Sequence, residues 1–270
     1  MSRDRTNPSR LRHIAAAAVL SVTAWCGGAH ADPVIWVDDN TGRLGTIDVG
    51  TGAVTIVGSM GVVMWDIAFD PLGNLFGTNG TTLYRIDKST AAATPVGSLG
   101  ATITSLVFNP SGALYGSGNS LYSINPGTGA ATSVGGAAFG FSGDLSFAGG
   151  QLYLSHGQGL SPYTLSVLDT STGFRTPVGS LGVAQVYGLA SPDRAALYSV
   201  AGTTVYTVNG TTGASTIALD FSGRGLSQIN GAAFVTEAAP VPVPEPGRAV
   251  LMLAGLGVVG LLAQRRLKRR

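Results

Sequence analysis

The sequence predicts an all-β fold: a five-bladed β-propeller built from four-stranded repeats of about forty residues. The first observation is a recurring segment, Leu83-Tyr84-Arg85-Ile86-Asp87, with copies that begin at residues 44, 121, 165 and 205. Successive copies start 39, 38, 44 and 40 residues apart. A fixed period in this range is typical of solenoids and propellers.

The second observation is the composition of one repeat. In the repeat that begins at Leu83, four apolar segments of four to six residues occupy positions 83–87, 93–96, 103–108 and 113–116. Each is β-branched, aromatic or alternating, and turn residues such as Asn109-Pro110-Ser111-Gly112 separate them, which is typical of strands and tight turns. Four strands in forty residues match one propeller blade.

The third observation is that the two ends of the repeat region complete each other. Residues 34–37 have the pattern of a second strand with no innermost strand before it, and residues 230–235 have that of an innermost strand with nothing after it. Pairing the two would complete one blade and remove the open sheet edges. An open β-solenoid is the alternative architecture.

The blade pattern G-x-L-Y-G … L-Y-x-I-D … T-G resembles the blades of NHL-type and related propellers over residues 34–236. This resemblance implies that the strand at 103–108 is innermost in its blade and the strand at 93–96 outermost. Aromatic residues recur at the end of the innermost strand and again in the strand that follows it. Because they recur in blade after blade, we expect them to pack between blades: Phe69, Phe108, Phe147, Phe234, and Phe76, Tyr115, Tyr153, Tyr198.

Residues 1–31 have the pattern of an export signal. Four arginines precede an apolar stretch at 14–25, and Ala29-His30-Ala31 gives the small-x-small pattern of a cleavage site. Cys26 is the only cysteine, and Trp25 before it disfavours a lipidation site. Cleavage after Ala31 would leave a propeller domain at 32–237 without thiol or disulfide chemistry.

The C-terminal region changes composition. Residues 238–247 form a proline-rich linker, and residues 248–270 contain an apolar stretch, predicted to be a membrane helix, and a basic end. Pro244-Glu245-Pro246, the apolar stretch and the basic cluster that begins at Arg265 and Arg266 resemble the PEP-CTERM sorting signal. That resemblance implies export in a Gram-negative bacterium, recognition by an exosortase while the segment is in the inner membrane, cleavage near the motif, and a place in the cell envelope, surface or extracellular matrix. A plain C-terminal membrane anchor is the alternative.

Charge and residue types restrict the partners and metal sites that residues 32–237 can have. Residues 32–237 carry six basic and twelve acidic side chains, a net charge of −6, which argues against a nucleic-acid partner. They hold one histidine, His156, and no cysteine, so zinc sites of the usual composition are excluded. The sequence Asp38-Asp39-Asn40-Thr41-Gly42 could hold calcium, but it lacks the EF-hand spacing, and an ordinary acidic turn is the simpler interpretation.

Propeller topology predicts where a ligand would bind. The loops that enter the innermost strands and those that join second to third strands open on one face, around the channel. The repeat alignment puts Asp66, Asp144 and Asn230 in the first set and His156 in the second. Converging oxygens of this kind suit Ca²⁺ or a polar ligand. The alternative is that each aspartate only caps a turn through its own backbone, and that the solvated loop histidine has no ligand role.

Three functions fit these observations. The first is a non-catalytic exported propeller that needs no cofactor and binds a glycan, such as an exopolysaccharide, or a matrix protein. The second is a propeller hydrolase or lyase with a metal in the central channel, and the third is a purely structural surface protein. Fold analogy does not choose between them.

Overall fold

The computed structural model describes residues 33–136, 143–193 and 195–239. These residues form five antiparallel four-stranded sheets, one for each predicted repeat. The signal region, the linker after residue 239, the Pro-Glu-Pro motif and the predicted membrane helix lie outside the described residues. Within the described part, no helix has the length and apolarity needed to cross a membrane.

The sheets are the blades of the propeller, and the first is assembled from both ends of the described chain. Blade 1 contains β1 (Val34–Asp39), β2 (Arg43–Asp48), β3 (Val54–Ser59) and, at its inner edge, β20 (Ile229–Ala233). β20 pairs antiparallel with β1, with Trp36 opposite Ala233 and Asp38 opposite Gly231. The predicted closure of the ring is therefore confirmed.

The other four blades follow in chain order. Blade 2 contains β4 (Asp66–Phe69), β5 (Leu75–Thr78), β6 (Thr82–Ile86) and β7 (Ala93–Ser98). Blade 3 contains β8 (Ile103–Phe108), β9 (Leu114–Gly118), β10 (Leu121–Ile124) and β11 (Ala131–Ser133). Blade 4 contains β12 (Leu145–Ala148), β13 (Gln151–His156), β14 (Thr164–Leu168) and β15 (Arg175–Ser180). Blade 5 contains β16 (Val186–Ala190), β17 (Leu197–Ala201), β18 (Thr204–Val208) and β19 (Ser215–Asp220).

The first strand of each sheet lies at the channel. β4 packs on β8, β8 on β12, β12 on β16, β16 on β20, and β20 on β4, which closes a ring of inner strands. The fourth strands are the outer edges and are largely exposed, as β7 and β15 show. Innermost and outermost strands therefore lie where the sequence predicted.

Aromatic pairs join neighbouring blades, as expected from their recurrence. Phe76 of blade 2 packs on Phe108 of blade 3 with ring centroids 5.2 Å apart. The same pairing, with a second-strand ring against the first-strand phenylalanine of the next blade, recurs at 5.7–6.0 Å in Trp36–Phe69, Tyr115–Phe147 and Tyr198–Phe234. Such contacts contribute about 0.5–1.5 kcal/mol each beyond the area they bury.

The turns are stabilised by their own side chains. Oδ1 of Asp70 accepts the backbone N–H groups of Leu72 and Asn74 at 2.9 and 2.8 Å, and Asn109 does the same in the next blade. These Asx-type turns connect first to second strands at the end of the channel where the inner strands finish. The opposite end, where the inner strands begin, forms the mouth.

Candidate binding site at the channel mouth

An open pocket of about 220 Å³ lies at the mouth of the channel. It is lined by one residue from each blade, at equivalent positions just before or at the start of the inner strands: Trp65, Thr104, Gly143, Tyr187 and Asn230. The structure thus brings together the loops that the sequence predicted to share one face. Of the predicted site residues, Asn230 lines the pocket itself, whereas Asp66 and Asp144 each follow a lining residue.

Trp65 gives the pocket its largest apolar surface. Its backbone N–H donates to the Thr78 carbonyl at 2.7 Å, and its side chain remains 42% exposed. The ring lies over Gly80, where an added Cβ would come within 2.8 Å of a ring carbon, so only glycine allows this placement. Across the mouth, Tyr187 packs edge-on against Tyr163 with centroids 6.0 Å apart. Trp65 belongs to blade 2 and Tyr187 to blade 5.

Asp66 joins neighbouring blades beneath the pocket. Its Oδ2 accepts the N–H of Leu106 in blade 3 at 2.5 Å, and its Oδ1 accepts the N–H of Ile67 at 2.7 Å. Asp144 repeats this arrangement with the N–H groups of Leu189 in blade 5 and of Leu145, both at 2.6 Å. Both carboxyl groups are buried. Each aspartate therefore holds the inner strand of the next blade, a structural role broader than the predicted turn cap.

The carboxyl groups of Asp66 and Asp144 also interact with each other. Two buried carboxyl groups so close together disfavour two negative charges. Burial, and for Asp66 the adjacent charge of Asp144, raise the pKa of both groups well above the ordinary value. The pair crosses the channel beneath the mouth.

Asp38 is a third buried acid at this level; the sequence suggested an acidic turn here, whereas the residue lies near the end of strand β1. Neither of its oxygens has a hydrogen-bond partner among the described residues. Burial, followed by the charge of Asp39, raises its pKa to about 8. Asp39 is paired instead, with Arg43 at 2.8 Å, and it accepts the backbone N–H groups of Thr41 and Arg43. The acidic turn is thus built by Asp39, whereas Asp38 faces blade 2.

Gly231 separates Asp38 from Asp66. A Cβ added to Gly231 would lie 2.3 Å from Oδ1 of Asp66 and 2.6 Å from Oδ1 of Asp38. An added Cβ would also lie 2.5 Å from the Asp66 Cα, so both carboxyl groups and the Asp66 backbone pack against Gly231 too closely for any side chain at this position. Asn230, the neighbour of this glycine, donates from Nδ2 to the Met64 carbonyl at 2.9 Å.

Glu237 occupies the opposite end of the channel, near the ends of the inner strands. Its Oε1 accepts the Ser146 hydroxyl at 2.5 Å and the N–H of Phe147 at 3.2 Å. Burial raises its pKa to about 8. Ala238, which follows, is buried in the apolar cluster around Phe76 and Phe108. The residues after β20 thus seal the channel from below.

His156 lies apart from these acids, at the end of β13. Its Nε2 is 2.8 Å from the Ser166 hydroxyl, and its Nδ1 is 3.1 Å from a guanidinium nitrogen of Arg175. Because arginine can only donate, Nδ1 must accept, and the neutral ring then carries its proton on Nε2. Burial, then the charge of Arg175, lowers its pKa to about 4. A ring protonated at Nε2 donates to Ser166 and cannot take a proton from it.

No group of three or more His, Cys, Asp or Glu side chains suited to a metal ion occurs within the described ranges. The predicted set of Asp66, Asp144, Asn230 and His156 is therefore not gathered around one point. Asp66 and Asp144 touch, Asn230 lies at the mouth, and His156 bonds within blade 4.

Comparisons with known proteins bear on the fold. No family model matches the chain, and no curated protein matches it in sequence. A structural genomics protein of unknown function from Bacteroides thetaiotaomicron VPI-5482 superposes with a TM-score of 0.52 at 17% identity, over 76% of this chain and 62% of that one. This chain thus spans less than two thirds of that protein. At this identity the likeness concerns the fold alone.

Two further structures are more distant. One is a symmetrical protein of de novo evolutionary emergence, with a TM-score of 0.48, 18% identity and coverage of 78% of this chain and 99% of that one. The other is the hydrazine synthase of Kuenenia stuttgartiensis, with a TM-score of 0.42, 13% identity and coverage of 62% and 49%.

Proposed function

We propose that this chain is an exported, non-catalytic propeller that binds a glycan or protein of the cell envelope or extracellular matrix in the pocket at its channel mouth. The observed topology is that of a β-propeller, a fold that serves as a binding or structural module. The observation that supports binding at the mouth is the contrast between a nearly symmetric scaffold and an asymmetric mouth.

The contrast is seen by comparing equivalent positions of the five blades. At the start of the third strand, every blade has a buried aliphatic side chain: Leu44, Leu83, Leu121, Leu165 and Val205. At the mouth the five positions hold five different residue types, from glycine to tryptophan. Equivalent packing environments favour similar residues, as the buried third-strand positions show. The five different residue types at the mouth therefore need an explanation other than packing. Recognition of an asymmetric ligand supplies one, because each blade then meets a different part of it.

The chemistry of the mouth suits binding. Trp65 and Tyr187 offer apolar faces, and Thr104 and Asn230 offer polar atoms, the combination common in small-molecule and glycan sites. Among the described residues, the only histidine is oriented by Arg175 so that its proton faces Ser166. That arrangement lacks the general base of Ser-His hydrolysis, which agrees with a non-catalytic role.

Export and sorting complete the proposal and rest on the sequence motifs. The signal pattern ending at Ala31 would direct the chain out of the cytoplasm, and Pro244-Glu245-Pro246 with the basic cluster would present it to an exosortase at the membrane. The ligand would then be met outside the inner membrane.

The test is a glycan and matrix-protein array probed with the purified full-length chain and two single variants. Trp65→Ala removes the exposed ring at the mouth. Phe174→Ala removes an aromatic ring that is 67% exposed in the hairpin between β14 and β15, at the other end of the propeller. We expect the first change to weaken binding by about 10- to 100-fold and the second to leave it unchanged.

Equal effects of the two changes would contradict the mouth as the site. A protein that folds but binds no glycan or matrix protein would favour the structural alternative. Turnover of a bound polysaccharide or lactone would favour the hydrolase or lyase.

A further inference from the structure

A groove of about 320 Å³ lies beside the turn between β4 and β5, at the end of blade 2 where its inner strand finishes. Its volume is at the lower end of the range of roughly 300–1,000 Å³ that is typical of small-ligand sites. Two basic side chains, Arg85 and Lys88, and one acidic side chain, Asp87, line it. Because residues 32–237 carry six basic and twelve acidic side chains, a lining with an excess of positive charge is a local exception.

The two cations of the groove are held by neutral partners. Nη2 of Arg85 donates to Oδ1 of Asn74 at 2.5 Å, and the guanidinium lies 5.6 Å from the centre of the Phe76 ring. Nζ of Lys88 donates to the Gly73 carbonyl at 2.6 Å. Neither cation forms an ion pair with a carboxylate in the part of the chain that the structure describes. Both positive charges are therefore placed but not neutralised by direct contact.

Polar neighbours fix this lining before any ligand binds. Asn74 is held on its other side, because its Nδ2 donates to Oδ2 of Asp70 at 2.7 Å, which directs its Oδ1 at Arg85. The carboxylate of Asp87 is engaged by its own turn, where Oδ1 accepts the N–H and the hydroxyl of Ser89 at 2.7 and 2.6 Å. A side chain that is already positioned loses less conformational entropy when it binds a ligand.

The equivalent positions of the other four blades carry no charge. Arg85 lies opposite Phe76 in the pairing of β5 with β6, and the residues at the same place in the other blades are Thr46, Ser123, Val167 and Thr207. Lys88 follows three residues later, and its equivalents are Val49, Pro126, Thr170 and Gly210. The blade fold therefore requires neither cation, and the basic pair of blade 2 needs an explanation other than folding.

We propose that this groove is a second binding site, separate from the mouth pocket, and that it takes the carboxylate of an acidic sugar unit such as a uronic acid of a polysaccharide. The lining has one more positive than negative charge, so a single carboxylate balances it. The planar guanidinium of Arg85 matches a carboxylate in shape. The amide of Asn74 and the hydroxyl of Ser89 border the cations and suit the hydroxyl groups of a sugar better than the apolar side chains of a peptide.

The experiment measures binding of trigalacturonate to the purified full-length chain by calorimetry at neutral pH, with an uncharged galactose trisaccharide as the second probe. Arg85→Thr and Lys88→Thr introduce a residue that other blades hold at these positions, so the fold should be retained. Each should weaken trigalacturonate binding by about 10-fold, and the uncharged trisaccharide should bind the parent more weakly by a similar factor. Arg224→Thr is the matched control, because Arg224 also donates to a backbone carbonyl, that of Gly52, and lies outside the groove. It should leave binding unchanged.

The basic segments at both ends of the chain are the same in every variant, so a difference between variants reports the groove. No binding of trigalacturonate, unchanged binding in both groove variants, or an equal loss in Arg224→Thr overturns the proposal. Binding of polyglutamate in place of trigalacturonate overturns it in favour of an acidic peptide. Trp65→Ala should not affect trigalacturonate binding, and a loss in that variant would assign the acid to the mouth instead. A mouth without any ligand leaves the result for the groove unaffected.

Discussion

Glu237 and Ser146 are joined by a side-chain hydrogen bond of 2.5 Å, although 91 residues of chain separate them. The bond connects the segment after the closing strand to the inner strand of blade 4. It is buried, and the N–H of Phe147 reinforces it at 3.2 Å. The residue that ends the repeat region in the sequence is therefore a structural part of the ring.

Stability should fall as the pH rises, and Glu237 should account for part of the fall. Its folded-state pKa of about 8 lies above the ordinary value of 4.5. The unfolded chain therefore releases this proton first, so the contribution of Glu237 is complete below pH 4.5 and is lost as the pH approaches about 8. Chemical denaturation across this range should give a shallower decline for Glu237→Gln. An unchanged pH profile in that variant, with Asp220→Asn as the surface control, would contradict the assignment.

Removal of the closing strand should abolish cooperative unfolding. A chain truncated after Ser227 lacks β20, which exposes a sheet edge on β1 and removes packing from β16 and β4. The single change Phe234→Ala, which removes a buried ring 5.8 Å from that of Tyr198, should cost about 3–5 kcal/mol of unfolding free energy. Denaturant titration followed by circular dichroism measures both. A truncated chain that melts like the parent would refute the ring, and Phe174→Ala should have little effect.

A close contact between outer strands and neighbouring hairpins should be sensitive to a single methyl group. A Cβ on Gly179 of β15 would lie 2.0 Å from the carbonyl oxygen of Thr212 in blade 5. Gly179→Ala must therefore push two blades apart, and we expect a loss of about 1–3 kcal/mol. Gly136→Ala is the matched control, because an added Cβ there meets nothing within 4 Å. Equal denaturation midpoints for the two variants would show that the contact does not limit stability.

Processing should remove both the N-terminal export signal and the C-terminal sorting signal. The mature chain should begin at Asp32 and end near Pro244-Glu245-Pro246, because both signals lie outside the repeats. Mass spectrometry of envelope protein from cells with an active exosortase should show these ends. Retention of residues 265–270 in such cells would leave only a plain membrane anchor.

The ring could be predicted because its information is local and repeated. Short alternating strands, Asx-type turns and recurring aromatics such as Phe108 are visible within one repeat, and five copies reinforce one another. The closure followed from the two incomplete ends. The position of the mouth followed from the same alignment, which placed the loops of Asp66, Asp144 and Asn230 on one face.

The buried acids could not be predicted in the same way, because their environment comes from distant parts of the chain. Asp38 is buried against Asp66 only because Gly231 lies between them. In sequence it stands beside Asp39, which forms the turn, and the two aspartates look alike. The orientation of His156 likewise depends on Arg175, which lies on β15, on the other side of β14 from His156. No sequence motif predicts this contact.

Because Glu237 and Ala238 close the lower end of the channel, the chain leaves the propeller on the side opposite the mouth pocket. The described chain finishes at the end of the channel opposite Trp65 and its neighbours, so whatever is attached beyond residue 239 starts on the side away from the pocket. Copies held by that end can all present their pockets outward at once. Side by side on a surface, such copies could engage a repetitive polymer through several weak contacts, and linked contacts can exceed the affinity of one by about 10²–10⁴-fold.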